Sequence, residues 1–199
     1  RRMNLTTITE DAEVWRKHFL DSCLPFQYVE IPKGAAMIDV GTGAGFPGIP
    51  MRILRPDLRL TMLDSLQKRV HFLESVCQAL QIPVHCVHAR AEFGGKQPDL
   101  REQFDVACAR AVAAMPLLCE YCLPFVKVGG MFLALKGPNE TVEDAMEHVK
   151  RLGGELEETF LYSLEQNEAR RLFLIRKVRE TPKQYPRSPK QLQNRKHSS

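Results

Sequence analysis

The chain has 199 residues, which suits one domain with a single sizeable hydrophobic core. Its hydrophobic fraction of 44% and charged fraction of 26% are typical of a soluble globular protein. No apolar run reaches the ~18–20 residues needed to span a bilayer, and the first residues lack the apolar core of a signal peptide. These features exclude a membrane-spanning protein and predict a cytoplasmic one.

The charge of the chain is unevenly distributed. The formal net charge is +4, but residues 176–199 carry eight Lys or Arg against one Glu, so the remainder is slightly acidic. Such a basic end could contact a nucleic-acid backbone, or it could be a solvated segment that keeps the protein soluble. Both interpretations stay open.

The predicted elements alternate along the chain after an amphipathic first helix that Thr7 or Thr9 could cap. Predicted strands occupy residues 35–40, 58–63, 84–89, 104–109, 131–135, 159–164 and 171–178. Predicted helices occupy residues 47–54, 67–81, 115–126 and 140–152. The last two strands are joined by too short a link for a crossover helix. This order predicts an α/β fold, a doubly wound, mostly parallel sheet with an antiparallel hairpin at one edge.

The same pattern divides the chain into three parts. We expect an N-terminal helical segment at 1–34, the α/β domain at 35–178, and a basic, flexible tail at 179–199. Cys119 and Cys122 have the spacing of a metal pair, but they lie in an apolar helical run, so we interpret them as core thiols. His85 and His88 alternate on a strand without a third nearby ligand, and we predict no metal there.

A glycine-rich turn follows the first predicted strand and begins with Asp39. Gly41, Gly43 and Gly45 would let the backbone turn sharply and approach a ligand closely. In a dinucleotide fingerprint the sixth residue from Gly41 would be glycine, but here it is Phe46. Asp39 would repel a pyrophosphate and suits a ligand with a cationic amino group. The turn therefore predicts S-adenosylmethionine and disfavours a nicotinamide-dependent dehydrogenase.

A second acidic residue, Asp64, ends the second predicted strand 23 residues after Gly41. A carboxylate at this position can accept hydrogen bonds from both ribose hydroxyls of a nucleoside cofactor. This feature supports nucleoside binding without choosing between the two cofactors.

Further motifs carry a resemblance to a known family. They are His18-Phe19-Leu20-Asp21-Ser22, Phe46-Pro47-Gly48-Ile49-Pro50, Leu63-Asp64-Ser65, Arg90-Ala91-Glu92, Ala109-Arg110-Ala111-Val112-Ala113 and Leu135-Lys136-Gly137. In this order the chain resembles the bacterial 16S ribosomal RNA guanine-N7 methyltransferases, the glucose-inhibited division protein B family. That family usually has more helical sequence before the Asn-Leu-Thr of residues 4–6, so RNA docking by the N-terminal region stays open.

The resemblance implies a class I methyltransferase that uses S-adenosylmethionine and methylates N7 of a guanine in 16S ribosomal RNA or a small-subunit precursor. By position, Gly41 and Phe46 would contact the cofactor in the first loop. Ala91 and Glu92 would lie beside its adenine. Arg110 would lie beside the cofactor and face the substrate opening. A monomer is expected.

The chemistry at N7 determines which kind of catalytic residue is expected. N7 of guanine has a lone pair and no proton, so the protein must orient the base rather than deprotonate it. We expect Arg110 to act as the catalytic residue by orienting the base, and Lys136 to contact an RNA phosphate. A surface salt bridge is the alternative for each. Methylation of another RNA or of a small molecule, and a non-catalytic RNA-binding module, also stay open.

Overall fold

The structure, a computed structural model, describes residues 11–164 and 168–193. The predicted helix caps Thr7 and Thr9 lie outside these residues. The strands are β1 Ala36–Val40, β2 Arg59–Asp64, β3 His85–His88, β4 Phe104–Arg110, β5 Val126–Lys136, β6 Gly154–Ser163 and β7 Ala169–Lys177. The α-helices are α1 Asp11–Val14, α2 Asp21–Cys23, α3 Gly48–Leu54, α4 Gln67–Ala79, α5 Ala91–Gly94, α6 Met115–Cys122, α7 Met146–Arg151 and α8 Pro189–Gln193.

Shorter helical turns complete the described part of the chain. A π-helical turn, Trp15–Leu20, joins α1 to α2, and 3-10 turns occupy Leu24–Gln27, Leu123–Phe125 and Glu143–Ala145. None of the described helices combines the length and the apolar composition that a membrane crossing requires.

One sheet contains the seven described strands in the order β3-β2-β1-β4-β5-β7-β6. β1 to β5 are parallel, whereas β7 pairs antiparallel with both β5 and β6. The predicted α/β class, the parallel sheet and the antiparallel edge hairpin are therefore confirmed.

Two strands are longer than the sequence pattern predicts. β5 begins at Val126 rather than residue 131, and it runs through Gly130, where a Cβ would lie 2.6 Å from the carbonyl oxygen of Asp105. Glycine thus lets the strand pass close to β4 instead of ending it. β6 begins at Gly154 rather than residue 159, and its register shifts near Leu156. A bulge breaks the alternation by which a strand is recognised.

The helix expected at 140–152 is shorter in the structure. A 3-10 turn, Glu143–Ala145, precedes α7, which begins only at Met146. The side chain of Glu143 accepts a hydrogen bond from the backbone N–H of Val142 at 3.0 Å, so this acidic residue organises the turn before the helix.

Apolar side chains cover both faces of the sheet. Alternate residues of β1 divide between the faces: Ile38 and Val40 pack toward α6 and α7, and Met37 packs toward α3 and α4. Burial on both faces explains why the parallel strands are almost continuously apolar in sequence. It also leaves the carboxyl ends of the strands as the place where polar groups meet.

The segment after β7 is held against this body. Thr181 is buried, and its N–H donates to Glu102 at 2.7 Å. Arg187 pairs with the fully buried Glu120 at 2.6 Å. The boundary at residue 178 stays a prediction, but Thr181 and Arg187 anchor this part of the expected flexible tail on the α/β domain.

Candidate active site

A cleft of about 520 Å³ opens at the carboxyl ends of β1, β4 and β5. The glycine turn after β1 forms one wall, and Arg110 and Lys136, the last residues of β4 and β5, form another. Lys17 and His18 from the N-terminal π-helical turn close a third side. The strand order changes direction between β1 and β4, which is where parallel sheets bind ligands.

The glycine turn has the backbone that its sequence requires. Gly41 and Gly43 have φ values of +71° and +60°, in the left-handed region. A Cβ on Gly41 would lie 2.9 Å from a methyl carbon of Val112, so the turn passes close beneath that residue. A Cβ on Gly43 would find no atom nearer than 4.0 Å, and Gly43 therefore leaves open space on the wall of the cleft.

Asp39 organises the turn from below. Its side chain is fully buried, and Oδ2 accepts hydrogen bonds from Thr42 Oγ1 at 2.6 Å and from the N–H of Gly48 at 2.9 Å. Burial raises the pKa of Asp39 to about 6, although the same hydrogen bonds act in the opposite direction. No donor of the described residues reaches its other oxygen, Oδ1.

Asp64 fixes the turn from the neighbouring strand. It is 2% exposed, and Oδ2 accepts a hydrogen bond from the N–H of Gly43 at 3.0 Å. Oδ1 accepts another from the N–H of Leu66 at 2.9 Å, and Arg69 lies 3.5 Å from Oδ2. The last residue of β2 is thus tied directly to the glycine turn.

These residues fit the cofactor that the sequence predicts. Gly43 leaves the backbone accessible, and Oδ1 of the buried Asp39 is an unused acceptor beneath the same turn. Asp39 and Asp64 support the turn and are not among the residues that line the described cleft. A carboxylate oxygen has lone pairs for more than one donor, so Asp64 can also accept from ribose hydroxyls. Contacts of Asp39, Gly41, Gly43, Gly45, Phe46 and Asp64 with a cofactor stay predictions.

Arg110 sits at the centre of a side-chain network on the opposite wall. Its Nη1 donates to the carbonyl oxygen of Lys17 at 3.1 Å and to Asp21 at 3.2 Å. Its Nη2 contacts Nδ1 of His18 at 3.0 Å, and its guanidinium lies 5.3 Å from the ring centroid of Phe46. Arg110 is therefore held in one orientation, as a base-orienting residue requires.

His18 completes this network as a neutral ring. Burial lowers its pKa from the ordinary value, and the charge of Arg110 lowers it further. Because a guanidinium only donates hydrogen bonds, Nδ1 of His18 must be the acceptor and the proton lies on Nε2. The ring also stacks on Phe46 with centroids 4.9 Å apart. The structure places both His18 and Asp21 against Arg110.

Lys136 points into the protein. Its side chain is 4% exposed, and Nζ donates to the carbonyl oxygen of Ala113 at 2.8 Å and pairs with Glu140 at 3.1 Å. It lines the cleft, but an RNA phosphate would have to compete with these two partners. The predicted phosphate contact stays a prediction.

Ala91 and Glu92 lie elsewhere, at the start of α5. Glu92 is 3% exposed, pairs with Arg90 at 2.8 Å, and lines a second cavity of about 540 Å³ that Tyr121 and Arg187 also line. Neither residue lines the described part of the first cleft. They follow β3, and β2 separates β3 from β1 in the sheet. Their predicted place beside an adenine is untested.

Three basic residues of the cleft escaped the sequence analysis: Lys17, Arg69 and Arg170. With Arg110 and Lys136 they make five basic lining side chains against two acidic ones in the described cleft. Of the three, only Arg69 could be expected near the cleft from the sequence, because it lies in the first turn of the helix that follows Asp64. The other two come from distant segments that folding brings together.

Comparison with known proteins gives the family. The family model described as rRNA small subunit methyltransferase G matches residues 1–173. The chain belongs to this family. A relative of that name from Clostridium novyi is 48% identical over 192 residues, covering 94% of this chain and 79% of its own. One from Lactobacillus delbrueckii subsp. bulgaricus is 51% identical over 191 residues, covering 93% and 80%. The resemblance seen in the sequence is confirmed.

Solved structures are similar in fold. Aeropyrum pernix fibrillarin with natively bound S-adenosyl-L-methionine has a TM-score of 0.58 and 18% identity, covering 78% of this chain and 73% of its own. M. jannaschii TYW2 in complex with AdoMet has a TM-score of 0.62 and 10% identity, covering 87% and 79%. At these identities the likeness supports the Rossmann-like methyltransferase fold alone.

Proposed function

We propose that this chain transfers the methyl group of S-adenosylmethionine to N7 of a guanine in 16S ribosomal RNA. Membership of the rRNA small subunit methyltransferase G family supports the reaction and the RNA substrate. The position of Arg110 is the main structural support for placing the reaction in this cleft. Its side chain is held across the cleft from the glycine turn and lies over the ring of Phe46.

The chain's own residues suit a reaction without a proton-removing base. The cofactor, when bound, supplies a methyl group activated by a sulfonium. Guanine N7 attacks through its lone pair, so the site needs to orient the base and exclude competing geometries. The His18 ring and the Asp21 carboxylate hold Arg110 rather than taking a proton from the substrate.

Arg110 has the donors to orient a guanine. Its guanidinium carries five N–H groups, and the contacts to Lys17, His18 and Asp21 use a part of them. A further N–H can donate to O6 of the base or to a phosphate oxygen, and O6 lies on the same edge as N7. The excess of basic side chains around the cleft favours an RNA backbone.

We further propose that the protein works in the cytoplasm as a monomer. The charge balance of the cleft supports RNA as the partner. Light scattering of the purified chain at micromolar concentration tests the monomeric state. A dimer mass that does not depend on concentration would contradict it.

The direct test is nucleoside mass spectrometry after incubating the purified chain with S-adenosylmethionine and unmethylated 16S RNA or small subunits. We expect 7-methylguanosine to form. Arg110→Ala should reduce turnover more than RNA affinity, whereas Asp64→Ala should mainly weaken cofactor binding. A different methylated nucleoside, or no product with either substrate, would contradict the proposed reaction.

A further inference from the structure

A row of aromatic side chains runs from the cleft to the protein surface. The ring of Phe19 meets Phe46, a cleft-lining residue, edge-on at 5.3 Å between centroids and 86° between planes. Trp15 stacks on Phe19 at 5.4 Å with an interplanar angle of 21°. Trp15 is 66% exposed, so the outer face of its indole is open to solvent.

The fold fixes this row at the mouth of the candidate active site. The π-helical turn that carries Trp15 and Phe19 also supplies Lys17 and His18 to the cleft. π-helical turns are rare and occur frequently at functional sites. One short segment therefore carries both the exposed ring of Trp15 and two residues that contact Arg110, namely Lys17 and His18.

The charges nearby indicate which partner would cover Trp15. Lys17 and Arg170 lie on the same side of the cleft and share the carboxylate of Glu168, at 3.5 and 3.8 Å. Lys17 also pairs with Glu13 at 2.8 Å, and Arg170 with Asp21 at 3.6 Å. Within the described cleft, basic side chains outnumber acidic ones, which favours a polyanion over an apolar protein surface. Single-stranded nucleic acids bind where such a charged groove is lined by aromatic rings on which bases stack.

We propose that Trp15 is a stacking platform for an RNA base that flanks the target guanine. The proposal rests on the proposed function and adds a residue that positions the substrate strand. A base on the exposed indole would leave its phosphates near Lys17 and Arg170 and direct the neighbouring nucleotide into the cleft. Stacking is tolerant of sequence because every base has a π-face, so Trp15 would hold the strand without reading it.

The sequence makes this directly measurable, because Trp15 is the single tryptophan of the chain. With excitation selective for tryptophan over the four tyrosines, the emission of the wild-type protein therefore reports on this position alone. We expect titration with a short unmethylated single-stranded RNA to quench the emission, at concentrations that match RNA binding measured by filter retention. RNA binding that leaves the emission unchanged would overturn the proposal.

Kinetics provide the second test. Trp15→Ala should raise KM for RNA by about 5- to 150-fold with little change in kcat, the range expected for loss of one stacked base. Trp15→Phe should recover most of the affinity because it restores an aromatic face. Leu80→Ala removes an exposed apolar side chain that directly follows the C-terminal end of α4 and does not line the described cleft, so it should leave KM unchanged.

The outcomes separate this inference from the proposed function. A wild-type chain that forms no 7-methylguanosine contradicts the function, whatever Trp15 does. An active wild type with an unchanged KM in Trp15→Ala contradicts only the role of Trp15. A response of the fluorescence to ribosomal protein but not to RNA would also overturn it.

Discussion

Arg110 donates a hydrogen bond from Nη2 to Nδ1 of His18 across 3.0 Å, which joins the end of β4 to the N-terminal helical segment. The contact exists only while His18 is neutral, because a protonated imidazole has no acceptor. Burial lowers the pKa of His18, and the charge of Arg110 lowers it further, so the neutral ring persists below the ordinary pKa of 6.5.

We therefore predict an acid limb in the pH profile of methyl transfer. As pH falls through the lowered pKa of His18, kcat/KM should decrease because the imidazolium repels Arg110. Folding stability should change in the same direction. The contribution of neutral His18 to the free energy of unfolding is complete above pH 6.5 and is lost as pH falls through its lowered pKa. His18→Asn keeps an acceptor near the position of Nδ1 but does not titrate, so its profile should lose this limb. An identical limb in the variant would contradict the assignment.

The open space beside Gly43 predicts a selective loss of cofactor affinity. Gly43→Ala adds a Cβ in the cleft at a residue whose backbone is in the left-handed region. Gly34→Ala is the control, because it adds a Cβ at a similar φ of +71° but outside the cleft, with no atom within 4 Å. Both should destabilise the fold by about 1–2 kcal/mol. Only Gly43→Ala should raise the Kd for S-adenosylmethionine, by about tenfold, equivalent to about 1.4 kcal/mol. Calorimetric titration checks this, and equal affinities in the two variants would contradict it.

Asp39 predicts an unusual pH dependence of folding. Its pKa is raised from 3.8 to about 6, so the folded chain binds more protons than the unfolded chain between these values. The contribution of Asp39 to unfolding free energy should therefore fall as pH rises from about 4 to 6, by about 3 kcal/mol at most. In Asp39→Asn this slope should disappear. Urea unfolding across the range measures it, and a retained slope would assign it to another group.

The same experiment with cofactor present tests the expected ammonium contact. A cation at Oδ1 of Asp39 would lower its pKa, so saturating S-adenosylmethionine should move the slope to lower pH. An unmoved slope would mean that Asp39 only shapes the turn.

The segment after β7 should depend on one buried ion pair. Glu120 is fully buried; against the effect of burial, hydrogen bonds from His148 and Arg187 lower its pKa to about 2. Arg187→Ala should destabilise the protein by roughly 3 kcal/mol, lowering Tm by about 6–12 °C. Arg176→Ala, which breaks a more exposed pair with Glu157, should cost under about 1 kcal/mol. Calorimetry compares them, and equal Tm values would refute the difference.

This ion pair also has an acid signature. Because the pKa of Glu120 is lowered, its contribution is present above about pH 4.5 and is lost as pH falls toward 2. Arg187→Ala should reduce this loss relative to the wild type. An unchanged acid transition would show that His148 alone holds the carboxylate.

The sequence by itself determined the α/β class, the edge hairpin and the glycine turn. These features are local: strand periodicity, short links and the left-handed backbone at Gly41 are determined by neighbouring residues. Family membership also follows from the sequence because motifs such as Phe46-Pro47-Gly48-Ile49-Pro50 are specific and occur in order.

The tertiary structure alone decided which side chains meet. Arg110 and His18 are 92 residues apart, and Arg187 and Glu120 are 67 apart, so no local pattern predicts either contact. Lys136 illustrates the limit: its position after a strand suggested a surface cation, but the loop containing Ala113 folds over it and buries its ammonium. Burial depends on what the rest of the chain places above a residue, and that is decided by packing between distant segments.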